Sequence, residues 1–247
     1  MVFFGSALLT TSLMAWGRAD AADLAYSAIG TWNGKKVYLS PATHSDSGSR
    51  GECLFDENDN GYFASYHATN GSYYQDVSNP TSPGRNLRIR GYNVRIGRDS
   101  NAVKIANSNA WAATVHIPVH SNARVGAQLN PTLAQCNSRS PLGTKVMWVS
   151  SGGKSLSQQF VQWIGEEAGS FGPLRSPGTG DIDCDDKVAN PCTSILNLAE
   201  LTQTNAVASY VELEYHDNTV GAAWMRYDYN KWAWRFGPAI DVYLGYP

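Results

Sequence analysis

Histidines and carboxylates that fall at the ends of β-like runs are the residues of this sequence best suited to chemistry. The run Lys36–Ser40 (KVYLS) leads to His44, and Thr114–His120 (TVHIPVH) ends on His120. The run Ser209–Tyr215 (SYVELEY) carries Glu212 and Glu214 and is followed by His216. Two imidazoles and a carboxylate are the donors of a catalytic zinc site, which takes three protein ligands and keeps a fourth position for water. Glu52, Asp56, Glu57 and Asp59 all lie between the first two runs as candidates for the carboxylate ligand, and spacing does not choose among them. His116 stands four residues before His120, a metal-pair spacing on a helix. Its β context, with Pro118 between, makes it instead a structural residue or a support for a ligand. His67 reads as a surface residue. Gly152-Gly153 and the Gly178–Gly180 stretch lack the strand-then-helix setting of a dinucleotide fingerprint and read as turns.

Those residues need strands to deliver them. Leu87–Ile96 (LRIRGYNVRI) alternates apolar and polar residues as a strand does, and Lys145–Val149 (KVMWV) is a further strand. Residues 57–76 are compatible with a helix that Gly61 and Gly71 weaken. Ala102–Ala113 reads as a helix with Val103, Ile105, Ala106 and Ala110 on its apolar side. Ser155–Ala168 reads as an amphipathic helix opened by a serine cap. Tyr229–Leu244 closes the chain as a Trp-rich helix with Pro238 as a kink. Pro118 hints at a strand end or edge. The stretches 79–84, 121–143 and 169–193 read as loops. Strands alternating with helices, without an internal repeat or linker, predict one α/β domain: a mainly parallel twisted sheet with helices on both faces. In such sheets sites form at the carboxyl ends of the strands.

Composition narrows the partners. The 247 residues carry 19 Lys+Arg against 21 Asp+Glu, a net charge of −2, so no basic field draws nucleic acid. Charged residues are only 16% and hydrophobic ones 43%, which excludes a disordered chain. The surface is therefore built from Ser, Asn, Thr, Gly and Tyr, and with 8 Trp and 13 Tyr it resembles that of secreted proteins acting on carbohydrate or cell wall. Residues 1–21 read as a signal peptide: Val2 to Trp16 is mostly apolar and Ala19-Asp20-Ala21 offers a cleavage site. The n-region lacks Lys and Arg, and the run is too short and polar for a stable membrane span. Cys53, Cys136, Cys184 and Cys192 lack a C-x2-C zinc spacing and predict two disulfides. Cys184 and Cys192 bracket a short acidic loop, which favours that pair and leaves Cys53 with Cys136.

Five stretches in sequence resemble the zinc-dependent N-acetylmuramoyl-L-alanine amidases, the autolysins and endolysins that cleave peptidoglycan. Residues 39–46 (LSPATHSD) resemble the family's D-P-G-H-G-G loop, and Glu57 follows His44 by 13 residues, where the family opens a helix with Glu. Residues 91–98 (GYNVRIGR) resemble its GY-V strand. Residues 105–123 (IANSNAWAATVHIPVHSNA) resemble its Asn-bearing helix and H-A-N-A strand end. Residues 211–215 (VELEY) resemble V-E-x-G-F. The resemblance covers roughly residues 35–246, and the domain is taken as 35–247. There are departures: Ser40 replaces the usual Asp, the loop glycines are replaced, Thr43 is an extra residue before the histidine, and Glu214 stands where Gly is expected.

The resemblance implies zinc as cofactor, held by His44, Glu57 and His120, with Glu212 as the catalytic carboxylate. Strand alternation places Glu214 on the face of Glu212, so Glu214 is the alternative base or a partner of a histidine ligand. His216 shares that face as a candidate for substrate or oxyanion contact. The implied reaction is hydrolysis of the amide between N-acetylmuramic acid and L-alanine, by a secreted enzyme at the cell wall whose partner is peptidoglycan, glycan strand and stem peptide. Two alternatives stand beside it: an inactive cell-wall-binding relative, motivated by the altered first loop, and another zinc peptidoglycan hydrolase such as a carboxypeptidase or deacetylase.

Overall fold

A computed structural model describes residues 22–43, 53, 57–71, 85–122, 132–137, 144–171, 181–182, 198–227 and 233–246, with backbone alone at 57–60, 133, 137, 165–171 and 181–182. The expectations for residues 1–21, for His44, Glu52, Asp56 and the side chains of Glu57 and Asp59, and for Cys184 and Cys192 lie outside the described residues.

The strands are β1 (Leu24–Tyr26), β2 (Lys36–Pro41), β3 (Asn93–Ile96), β4 (Val115–Asn122), β5 (Lys145–Met147), β6 (Asp181–Ile182), β7 (Val207–Ala208) and β8 (Tyr210–Tyr215). They form one sheet in the order β1-β3-β2-β4-β8-β5-β6, with β7 beside β4 in line with β8. The pairings β2–β3, β2–β4, β4–β7, β4–β8 and β5–β6 are parallel. Among the described residues, only β1–β3 and β5–β8 are antiparallel. The expected mainly parallel sheet is therefore present.

The helices are α1 (Glu57–Asn70), α2 (Asn101–Ala110), α3 (Leu133–Asn137), α4 (Ser151–Phe171), α5 (Ala199–Thr202), α6 (Thr219–Tyr227) and α7 (Phe236–Leu244). One sheet face carries Val37, Leu39, Val94, Ile96, Val115, Ile117, Val119, Val211 and Leu213. It packs against Ala64 and Ala68 of α1, Leu156, Phe160 and Ile164 of α4, Trp224 of α6 and Phe236 and Ile240 of α7. The alternate residues Tyr38, Ser40, His116 and His120 face the other way, as the two-residue period requires. They are covered by α2 and α5, through Lys104 and Glu200.

Several elements differ from the sequence reading. Residues 87–91 form a turn, so β3 holds only the second half of the expected strand. Gly91 is at φ +89°, and a Cβ there would lie 2.8 Å from the Thr31 carbonyl oxygen. The buried side of α2 is Lys104, Ile105 and Ser108, while Val103 is exposed. The serine cap belongs to Ser150, whose Oγ accepts the Gly153 N–H at 3.0 Å, and α4 starts four residues earlier than expected. Pro118 lies inside a central strand. β4 pairs β7 through His116↔Ala208 and β8 from Val119↔Val211, so the missing N–H of Pro118 coincides with the break at Ser209. Pro238 sits in the first turn of α7, where a proline N–H is not needed. Helix α6 had no place in the sequence reading. Its cap is Asn218, whose Oδ1 accepts the Val220 N–H at 2.9 Å.

Candidate active site

The carboxyl ends of β2, β4 and β8 lie side by side. Along β2 and β4, Ser40 is in register with Pro118 and Pro41 with Val119, and the Ala42 N–H donates to the Val119 carbonyl at 3.0 Å. Along β4 and β8, His120 is in register with Glu212. His120 and Glu212, 92 residues apart in the numbering, thus occupy neighbouring positions on adjacent strands.

Beyond that pair the register slips. Asn122 faces Tyr215, so β8 spends one more residue than β4 between the two pairings. An inserted residue of this kind bends a strand and re-aims its side chains. Simple alternation therefore does not relate Glu214 to Glu212. Glu214 is fully buried, and its Oε1 accepts the Tyr215 N–H at 2.9 Å. Glu212 is the more exposed of the two carboxylates. His216 is buried, with Nδ1 2.9 Å from Ser121 Oγ, and its backbone bonds both Asn122 and Cys53.

Helix α1 reaches the same corner. Gly61, Ala64, Ser65, Ala68 and Thr69 form its buried stripe, at the spacing of a single helix face. A Cβ at Gly61 would lie 2.5 Å from the Val119 carbonyl oxygen and 3.0 Å from the Ala42 nitrogen. Position 57 is one turn of backbone earlier on the same helix. The start of α1 is therefore pressed against the strand ends that carry His120 and lead to His44. His67, on this helix, is half-buried, and burial lowers its pKa.

His120 is 2% exposed and stacks on Tyr210 at 4.5 Å between ring centroids. Its Nε2 lies 4.0 Å from Glu200 Oε2. The other oxygen, Oε1, accepts from Ser40 Oγ and lies 3.3 Å from His116 Nε2. Tyr38 stacks on the His116 ring. Burial pushes the Glu200 carboxyl up, but the His116 hydrogen bond and the charges of Lys104, His116 and His120 outweigh it and hold the group below its ordinary value. The carboxylate is ionised, which makes Nε2 the proton-bearing nitrogen of His116. Lys104 is fully buried and donates to the Pro41 carbonyl at 2.6 Å; burial lowers its pKa against the pull of Glu200.

Of the residues singled out in the sequence, the structure thus places His120 and Glu212 together, with Glu214 and His216 further along β8 and in the turn after it. Glu200, Lys104 and Tyr210 were missed, and no local motif marks them. Among the described residues no three His, Cys, Asp or Glu side chains are gathered for a metal ion. The donor set His44, Glu57 and His120 nevertheless fits zinc by type, and the backbone contacts of β2, β4 and α1 converge on one corner. One expected disulfide, Cys53–Cys136, is present. It ties the segment before α1 to α3.

No protein-family model and no curated protein matches the chain. Solved structures do. N-acetylmuramoyl-L-alanine amidase AmiC2 of Nostoc punctiforme superimposes with a TM-score of 0.59 at 14% identity, over 85% of this chain and 97% of that one. The N-acetylmuramoyl-L-alanine amidase of Clostridium difficile 630 gives 0.59 at 15% identity, over 85% and 97%. The catalytic domain of CwlV, an N-acetylmuramoyl-L-alanine amidase of Bacillus (Paenibacillus) polymyxa var. colistinus, gives 0.57 at 14% identity, over 86% and 99%. The chain shares the fold of these amidases across nearly their whole length.

Proposed function

We propose that the protein is a zinc-dependent N-acetylmuramoyl-L-alanine amidase that hydrolyses the amide between the lactyl group of N-acetylmuramic acid and L-alanine in peptidoglycan. The observation that carries this reading is the pairing of His120 with Glu212 at the carboxyl ends of two central parallel strands. It occurs in a fold shared with solved amidases. His44, Glu57 and His120 would hold the zinc. When bound, the ion polarises the scissile carbonyl and makes water a competent nucleophile near neutral pH.

The chain's own residues supply the rest. Glu212 accepts the proton of the attacking water and returns it to the departing L-alanine nitrogen. Glu214 is a poorer candidate for this, because it is fully buried and its carboxylate already serves the backbone of its own strand. His216, buried against Ser121, braces the end of β8. A disulfide fits an enzyme that works outside the cell, on the wall itself. Residues 1–21 would then be the export signal. Among the described residues no helix is long and apolar enough to cross a membrane.

Digestion of purified peptidoglycan, with and without a zinc chelator and with products identified by mass spectrometry, tests the reading. Chelator-sensitive release of stem peptides with a free L-alanine amino terminus is expected. Glu212→Gln should keep zinc and the fold but lose roughly 10²–10⁴ in turnover. His120→Ala should lose zinc. Intact peptidoglycan, with folded protein and zinc supplied, would instead favour a binding-only relative, and release of a different product another hydrolase.

A further inference from the structure

Below α2 and α5 lies a buried polar group that the proposed reaction does not use. Ser40, Lys104 and His116 are fully buried and Glu200 is 2% exposed. Glu200 comes from a four-residue helix, α5, yet it reaches both strands that lead to the candidate histidines. Its Oε1 is engaged on one side by Ser40, at the end of β2, and on the other by His116 of β4. Its Oε2 accepts no hydrogen bond among the described residues and faces His120 Nε2 at 4.0 Å. Lys104 supplies the compensating charge while its ammonium holds the Pro41 carbonyl. A buried carboxylate fixed at one oxygen by two partners has little freedom, so the direction of its second oxygen is set. That direction is toward an imidazole.

We propose that Glu200 is a positioning residue: it holds the His120 ring in one orientation, with the proton on Nε2, and so prepares that ring as a metal ligand. A carboxylate behind a ligating histidine fixes its tautomer and raises its basicity, and removing such a partner typically weakens metal binding about 10–100-fold. The inference rests on His120 being a zinc ligand, as proposed above.

Zinc affinity of the full chain, measured by competition with a chromophoric chelator, tests it together with ¹⁵N-imidazole NMR of the zinc-free protein. Glu200→Gln keeps shape and volume but not charge. It should bind zinc about 10–100-fold more weakly. In its zinc-free form the His120 ring should populate both tautomers, where the wild type holds the proton on Nε2. Wild-type zinc affinity and a wild-type tautomer in Glu200→Gln would overturn the proposal. His120→Ala separates the two readings: if it binds zinc as tightly as the wild type, the ligand assignment itself fails. Should Glu200→Gln not fold, Ser40→Ala removes one brace and leaves the carboxylate. A weaker loss, on the order of threefold, is then expected, and unchanged affinity with an unchanged tautomer counts against the proposal.

Discussion

Gly97 has no side chain where any would collide. A Cβ there would lie 2.7 Å from Cγ and Cδ of Lys104 and 2.8 Å from the Tyr38 hydroxyl. The missing methyl makes room for the lysine stem, and through it for the ammonium that holds Pro41 and balances Glu200. Gly97→Ala should therefore destabilise the protein by about 1–3 kcal/mol, as overpacked cores do, read from the urea midpoint. It should also weaken the proposed zinc binding, because Lys104 is the part that must yield. At this scale the sequence was legible where a strand ends. His120 and Glu212 stood out because a β-run delivers each. Glu200 did not, because the residue it is proposed to serve, His120, is 80 positions away and its brace Ser40 is 160 away. The sequence shows only that Ser40 lacks the acid expected there; that a carboxylate reaches the same place from α5 is a fact of three dimensions.

The elements place these residues by close approach. The small-residue stripe of α1 lets its backbone touch β4 at Val119, and Gly61 is the contact point. In the sequence Gly61 looks like a weakness of the helix, since glycine lowers helix propensity; in the structure it is the reason the helix can dock. Gly61→Ala has backbone, not a flexible side-chain tip, in its way. It should cost more stability than Gly97→Ala and shift α1 away from β4. Differential scanning calorimetry checks the first statement, and reduced zinc affinity the second. At the far side of the domain, Arg90 bonds Asp241 of α7, whose other oxygen accepts from the Tyr92 hydroxyl at 2.7 Å. Gly237 leaves space for that arginine. Asp241→Ala removes the carboxylate that balances a buried guanidinium and should cost about 3–5 kcal/mol in a denaturant titration. The strands β2 and β4 were readable from their apolar periodicity. The turn at 87–91 was not, because its alternating side chains imitate a strand while Gly91 turns the backbone.

Seen whole, the sheet is two halves joined at one seam. Strands β1 to β4 come from the first half of the chain and β5 to β8 from the second, and β4 meets β7 and β8 where they join. The proposed ligand His120 is on one side of the seam and the proposed base Glu212 on the other. The Cys53–Cys136 bond, 83 residues apart, crosses the same line. Closing a loop of that length removes enough unfolded-chain entropy to stabilise the fold by about 4–5 kcal/mol. The Cys53→Ser/Cys136→Ser protein should unfold at a correspondingly lower urea concentration. The alternation of strands and helices made the parallel sheet foreseeable, but not which strands would be neighbours. Adjacency in the sheet follows from crossovers, and these leave no trace in local pattern.

One consequence of the seam concerns a severed backbone. A single cut between β4 and α3 separates His120 from Glu212 in the chain, yet leaves the pieces linked through Cys53 and Cys136. Such a nicked protein should run as one band on a non-reducing gel and two on a reducing one. The proposed amidase activity should survive the cut and fade once a thiol lets the pieces part, so that reaction would itself report whether the two halves are together.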